Sequence, residues 1–250
     1  MSALLLRLTF VAFGCALALA PAAAAGPPQR YCRSVAAKLK ADTDLAAAAR
    51  AAFGEPQATA DEACLYPLQL LRCADVDVLV SQSGEPGEAC HGCEAALNAT
   101  VLKRIPGGYK RARSFDDFAK GGTFGAVAEV TPIAIGGDDG IAIESGGTFQ
   151  GYTSSALEFY AFRKQGLVAL AAGAPLMIAG DNSGAETDAG KTIEVESAWS
   201  LAGGELTIDY RVTDARGKRD SRAAWSFGDT TLTLKSGAPP KELAKATGQE

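Results

Sequence analysis

Cys90-His91-Gly92-Cys93 sets two thiols three residues apart around the chain's one histidine. That spacing suits thiol–disulfide exchange, in which the first thiolate is stabilised by a helix N-terminus and by a neighbouring imidazole. It equally suits a local disulfide that pins the loop ahead of Leu97. A third chemistry is tetrahedral zinc, held by Cys90 and Cys93 with two of Cys32, Cys64 and Cys73. In an oxidising compartment disulfide formation competes with metal for those sulfurs, so no cofactor is expected.

The strand-rich sequence after Cys93 favours the local disulfide. The motif resembles that of thioredoxin-like oxidases only in its CxxC, since those proteins continue from it into a long helix within an alternating β and α chain. Here Glu94 to Leu102 is followed by strand after strand. A disulfide between Cys90 and Cys93 leaves Cys32, Cys64 and Cys73, which cannot all pair. Cys32 with Cys64 would tether the alanine-rich N-terminal segment to the first strand, and Cys64 with Cys73 is the competing pair.

Oxygen ligands recur in Asp181-Asn182-Ser183-Gly184-Ala185-Glu186-Thr187-Asp188, where Asp181, Asn182, Ser183 and Asp188 are weak calcium candidates. Ala185 stands where an EF-hand loop needs an acid or amide, and no bidentate glutamate follows, so the segment reads as a solvated turn. Glu144 and Asp181 are carboxylates of the kind a glycosidase pairs, although nothing in the spacing brings them together. Phe149-Gln150-Gly151-Tyr152-Thr153 reads as a loop between strands. Its aromatics, amide and hydroxyl make Phe149, Gln150, Tyr152 and Thr153 ligand-binding candidates. No GxSxG, P-loop or GxGxxG pattern is present, and a single histidine excludes HExxH and three-histidine zinc sites.

The elements that must position these residues are mostly strands. From Arg30 to Phe53 the stripe Val35, Leu39, Ala46, Ala49 and Phe53, interrupted at Asp42, predicts one amphipathic helix ended by Gly54 and Pro56. Short alternating runs follow. Ile193, Val195, Ser197, Trp199 and Leu201 alternate with polar residues, then Leu206, Ile208, Tyr210 and Val212, then Ala223, Trp225 and Phe227. Trp199, Tyr210, Trp225 and Phe227 are expected in the core. Glycine pairs beginning at 107, 121, 136, 146 and 203 read as hairpin turns, too irregular in spacing for a propeller or solenoid. The expected fold is therefore mainly β, an antiparallel sandwich or barrel-like domain of about a dozen short strands after one N-terminal α-helix. Residues 1–25 form a leader, 26–63 the helix and a linker, 64–236 the β domain and 237–250 a polar tail, frayed or helical.

The leader carries Arg7, an apolar stretch from Leu8 to Ala20, and small residues before Gly26, the pattern of a secretory signal peptide. The stretch is short of the about 20 apolar residues of a spanning helix, so stable membrane insertion is not expected. A net charge of −5 with no long basic run argues against nucleic acid as a partner. Periplasmic or secreted localisation follows.

Tyr66-Pro67-Leu68, Gly84-Glu85-Pro86 leading into the CxxC, Gln150-Gly151-Tyr152-Thr153 and Asp181-Asn182-Ser183-Gly184-Ala185 together resemble an uncharacterised family of secreted bacterial proteins. The resemblance spans about residues 60 to 235 and implies no activity. The expected function is that of a non-enzymatic binding or inhibitor-like protein with structural disulfides and a protein or cell-envelope ligand. The alternatives are a redox protein using Cys90, His91 and Cys93, and a carboxylate-dependent envelope hydrolase.

Overall fold

The structure, a computed structural model, describes residues 30–55, 64–73, 76–127, 129–163, 166–171 and 175–249. The expected leader and most of the linker lie outside the described residues. No helix among the described residues is long and apolar enough to cross a membrane.

The N-terminal segment is not one helix. Strand β1 (Arg30–Tyr31) runs parallel to β2 (Cys64–Arg72), and helices α1 (Val35–Ala41) and α2 (Thr43–Phe53) follow. The break falls at Asp42. Its backbone is extended, its N–H still donates to Lys38 O, and its carboxylate accepts Leu45 N–H at 2.9 Å, so one residue ends α1 and caps α2. A side chain that can satisfy an orphan amide at a helix start competes with continuing the helix. The buried alanines Ala48, Ala49 and Ala52 let α2 lie close against the first sheet over Leu79 and Leu102, and the Cys32–Cys64 disulfide closes the same cluster.

That first sheet has the order β1-β2-β3-β4-β5, with β3 at Asp77–Ser83, β4 at Ala95–Ile105 and β5 at Gly108–Gly121. β3 is buried on both faces. Leu79 meets the helices, while Val78 and Val80 face the second sheet, which explains an apolar run without alternation.

The second sheet contains β6 (Glu129–Ile135), β7 (Asp138–Phe149), β8 (Tyr152–Arg163), β9 (Gly166–Ala169), β10 (Leu176–Asp181), β11 (Glu194–Ala202), β12 (Glu205–Asp214), β13 (Gly217–Phe227) and β14 (Leu232–Gly237). It is an antiparallel meander that forks at β8, whose first half pairs with β10 and whose second half pairs with β9. Ile141, Ile143 and Tyr160 pack against the first sheet. Ala142, Leu157, Phe159 and Ala161 point the other way, into a core with Val195, Leu206, Ile208, Tyr210 and Trp225. Phe159 on β8 and Phe227 on β13 are four strands apart, about 19 Å in a flat sheet. Their rings are 5.1 Å apart, so the sheet curls over upon itself. The result is a sandwich with one half rolled toward a barrel. Tyr210 and Trp225 are buried in that core, and Trp199 and Phe227 pack half-buried at its edge. The C-terminal segment is helical, and α3 (Glu242–Ala246) buries Leu243 and Ala246 in the same core.

Three glycine pairs turn hairpins with positive φ, at 107–108, 136–137 and 203–204. Gly146-Gly147 does not, contrary to expectation. It lies inside β7, and the turn is made by Gln150-Gly151, with φ of 51° and 87°. The reason is crowding, since a Cβ on Gly146 would meet Ser154 O at 2.5 Å and one on Gly147 would collide with Thr123 Cγ2.

Candidate functional site

Along the β7–β8 ladder Ile143 faces Glu158, Ser145 faces Ala156, Gly147 faces Ser154 and Phe149 faces Tyr152. The first three pairs share the face turned toward the first sheet, because side chains repeat every second residue. Ile143 is in the inter-sheet core. Beyond it the ladder leaves the core and becomes the floor of a groove of about 310 Å³, lined by Ser145, Gly146, Gly147, Ser154, Ala156 and Glu158. Lys120 at the end of β5, Thr123, and His91 and Glu94 of the CxxC segment form the facing wall, with Pro175 and Met177 also lining it.

The wall is tied together by backbone bonds. Phe124 N donates to His91 O, Gly125 N to Cys93 O at 2.8 Å, and Gly87 N to Phe124 O at 3.0 Å. Beneath them the fully buried Gln82 donates from Nε2 to Gly125 O at 2.6 Å. Cys90 and Cys93 are joined in a disulfide, and the exposed His91 between them stacks on Phe124. Cys90 is exposed, and β4 begins at Ala95, directly after the motif. A strand thus stands where dithiol oxidoreductases place the helix N-terminus that depresses a thiol pKa. Cys73 is a buried free thiol.

Glu158 is half-buried and accepts the Tyr160 hydroxyl at 2.6 Å. Burial pushes its carboxyl above the usual range, the Tyr160 hydrogen bond opposes that rise, and the Glu94 carboxylate adds to it. Among the described residues no cation pairs with it. A carboxyl perturbed in this way on the floor of a groove makes the groove a candidate site. Glu158, Glu94 and Lys120 escaped the sequence reading. One signal pointed to Glu158: it shares parity with Ala156, Tyr160 and Phe162, so a charge stands on the inward face of an apolar strand.

The structure divides the Phe149–Thr153 segment. Phe149 is 67% exposed at the groove rim. Gln150 is in the turn, and Tyr152 sets its ring against Gly248 of the C-terminal segment. Thr153 pairs its hydroxyl with that of Thr148 at 2.8 Å on the other face. The segment is thus a tight hairpin and not a loop. Behind it, Gly151 lies so close to Gly184 that a Cβ would strike the Gly184 backbone, so the Asp181–Ala185 turn buttresses the hairpin.

The oxygens of that turn serve the backbone. The buried Asn182 accepts Ile193 N–H at 2.7 Å, Asp181 accepts the Ser183 N–H and hydroxyl, and Asp188 accepts Gly190 N–H. Among the described residues one triple of ligand atoms lies close enough for a metal, Cys32, Cys64 and Glu85, and its two sulfurs are bonded to each other. Glu144 and Asp181 flank β8 opposite Leu157 and Thr153. That puts their Cα atoms about 13 Å apart along the strand and about 10 Å across it, outside a glycosidase pair's reach of about 5–10 Å. Glu144 instead accepts the Trp199 indole N–H at 3.4 Å.

A larger cleft of about 620 Å³ runs over the outer face of β11–β13, where both arginines are already matched in Arg211–Asp220 and Arg222–Asp209 pairs. Compared with family models, curated proteins and solved structures, the chain matches none.

Proposed function

We propose that this chain is a secreted or periplasmic, non-enzymatic binding protein that takes its ligand in the groove between the CxxC segment and the β7–β8 hairpin. One observation carries the reading: His91 and Phe149, from two motifs 58 residues apart in sequence numbering, line the same groove. Around them are an exposed aromatic, a half-buried carboxyl with no cation paired to it among the described residues, and backbone held in the left-handed region at Phe124 and Gln150. Such strain concentrates at functional positions. Export is supported by the leader pattern and by disulfides, which persist outside the reducing cytosol.

The test is capture from a cell-envelope extract by the immobilised protein, by Phe149→Ala, and by Arg211→Ala in the outer cleft as a control. A component held by the native protein and the control but lost with Phe149→Ala supports the groove. Identical capture by all three removes it. The exposure of Cys90 favours thiol–disulfide exchange as a second reading. Oxidation of a substrate dithiol to its disulfide, with the Cys90–Cys93 disulfide reduced to two thiols in exchange and the activity abolished in Cys90→Ser, would establish it.

A further inference from the structure

Away from the groove, we infer that the tip of the β4–β5 hairpin docks the protein on the surface of an anionic membrane, with Ile105 entering the headgroup layer and Lys103, Lys110 and Arg113 meeting lipid phosphates. β3 begins at Asp77, which pairs with Leu102, so Lys103, Arg104 and Ile105 of β4 pair with β5 alone. At about 3.3 Å per residue, this two-stranded ribbon carries its Pro106-Gly107 turn about 10 Å past the β3 ladder. One face of the ribbon is fastened down. Arg104 bonds the buried Asp77 and donates to Cys73 O at 2.7 Å, Arg72 bonds Asp77 and the Tyr109 hydroxyl, and Arg111 donates to Ala52 O.

The other face is left to solvent. Val101, Lys103 and Ile105 alternate onto one side of β4, and Arg113 and Lys110 stand opposite the first two of them, so the three cations and Ile105 share that face. Lys103, Lys110 and Arg113 are exposed and form no ion pair among the described residues, and Ile105 is 46% exposed. Lysines facing each other across a ladder repel. Charges on an unpaired strand edge deter aggregation, but that role needs neither a facing pair nor an exposed isoleucine beside the turn. An apolar tip with cations set behind it is instead the order in which a membrane interface is met, acyl boundary first and phosphates at the level of the charges. The chain's net charge of −5 opposes this only at short range, since screening acts over about 8 Å at physiological ionic strength and the ribbon projects about that far. A stable protein interface takes about 20–30 residues a side, far more than this face supplies. On a nucleic-acid backbone Ile105 would find no apolar surface to cover.

The experiment is co-sedimentation with vesicles of phosphatidylglycerol and phosphatidylcholine, or of phosphatidylcholine alone, using the chain from Gly26 onward, which contains every described residue and omits the apolar leader. Binding to the anionic vesicles, absent on phosphatidylcholine and lost at high salt, is expected. At about fivefold per cation, Lys103→Gln with Lys110→Gln should weaken it about thirtyfold, and arginine at both positions should retain it. Ile105→Ser should weaken it several-fold. Lys218→Gln with Lys235→Gln, which removes the same charge from exposed positions on β13 and β14, should leave it in place. The substituted side chains are exposed, so the variants should melt with the native protein, which is checked first. No binding to anionic vesicles, or an equal loss in the β13–β14 control, overturns the inference. Binding unchanged in Ile105→Ser, or equal retention on duplex DNA, overturns the membrane as the partner.

Discussion

The imidazole of His91 lies on the phenyl ring of Phe124, with centroids 4.8 Å apart and planes 25° from parallel. The contact joins the disulfide-closed turn to the turn after β5, two segments that backbone hydrogen bonds already hold together. Phe124 keeps φ at 52°, a conformation a bulky residue adopts only when its surroundings over-determine it. Here the surroundings are the stack above, and Gln82 holding Gly125 below. The groove wall is therefore a preorganised unit, and under the proposed function that lowers the ordering cost of binding.

If the Cys90–Cys93 disulfide serves that wall, it should behave as a structural bond. With no helix N-terminus to stabilise the Cys90 thiolate, its reduction potential is expected below about −300 mV, as for structural disulfides. His91→Ala should leave the potential in place while loosening the Phe124 turn. Equilibration with a dithiol buffer measures the first, and amide exchange at Gly125 the second. A potential near about −200 mV that falls in His91→Ala would instead promote the redox reading.

Gly147→Ala drives a methyl into Thr123 Cγ2, so floor and wall must separate. A cost of about 1–3 kcal/mol is expected in denaturant unfolding. Thr123→Ala removes the obstructing methyl, and the double variant should regain most of that loss, a coupling that a purely local strand effect would not show.

How far the sequence revealed this arrangement depended on which signal each residue carried. Leu206, Ile208, Tyr210 and Val212 alternate without interruption, and the inward face of β12 follows directly. Gly146-Gly147 looked like Gly136-Gly137, because composition does not distinguish a glycine needed for positive φ from one needed for close approach. Asp42 was visible as a polar interruption, but its competence as a cap appears only once its carboxylate is seen on Leu45 N. The groove itself was least legible. It requires β7–β8 register and sheet-on-sheet packing to bring Glu158 toward Glu94, 64 positions away in the numbering.

The Cys32–Cys64 bond closes a loop with a sequence separation of 32 and tethers the two short helices to β2. Removing it by paired alanine substitution should cost about 3–4 kcal/mol in the chain-entropy account, with α1 and α2 losing exchange protection first. Cys73 should resist alkylation in the folded protein. Burial, followed by the Asp139 and Asp77 carboxylates, pushes its thiol up to about 11. Intact mass of the unreduced chain from Gly26 onward should show a single alkyl group, and only in denaturant.

Asp77 is fully buried yet ionised between Arg72 and Arg104, the latter donating from Nε at 2.9 Å. Burial alone would raise its pKa, but the hydrogen bonds from Arg104 and Arg72 outweigh that and hold it below the usual carboxylate range. A depressed folded pKa contributes stability above the unfolded value of about 3.9, which is lost as pH falls through the folded value. Asp77→Asn should therefore cost about 1.5–3 kcal/mol at neutral pH. In urea titrations the difference from the native protein should shrink as the pH is lowered past the carboxylate range. A pH-independent difference would assign the loss to packing.

Glu158 gives the opposite sign. Its folded pKa lies above the unfolded one, so the stability present below about pH 4 is lost as pH rises through the folded value. Glu158→Gln keeps an acceptor for Tyr160 and removes the half-buried charge. The variant should melt at a higher temperature than the native protein near neutrality, and the two should converge in acid. Scanning calorimetry across that range decides it. A gain confined to neutral pH, joined to loss of ligand capture, would show that the carboxyl is held at a cost to folding for the sake of the groove. A variant that melts lower at every pH would make Glu158 a structural partner of Tyr160 and remove it from the site.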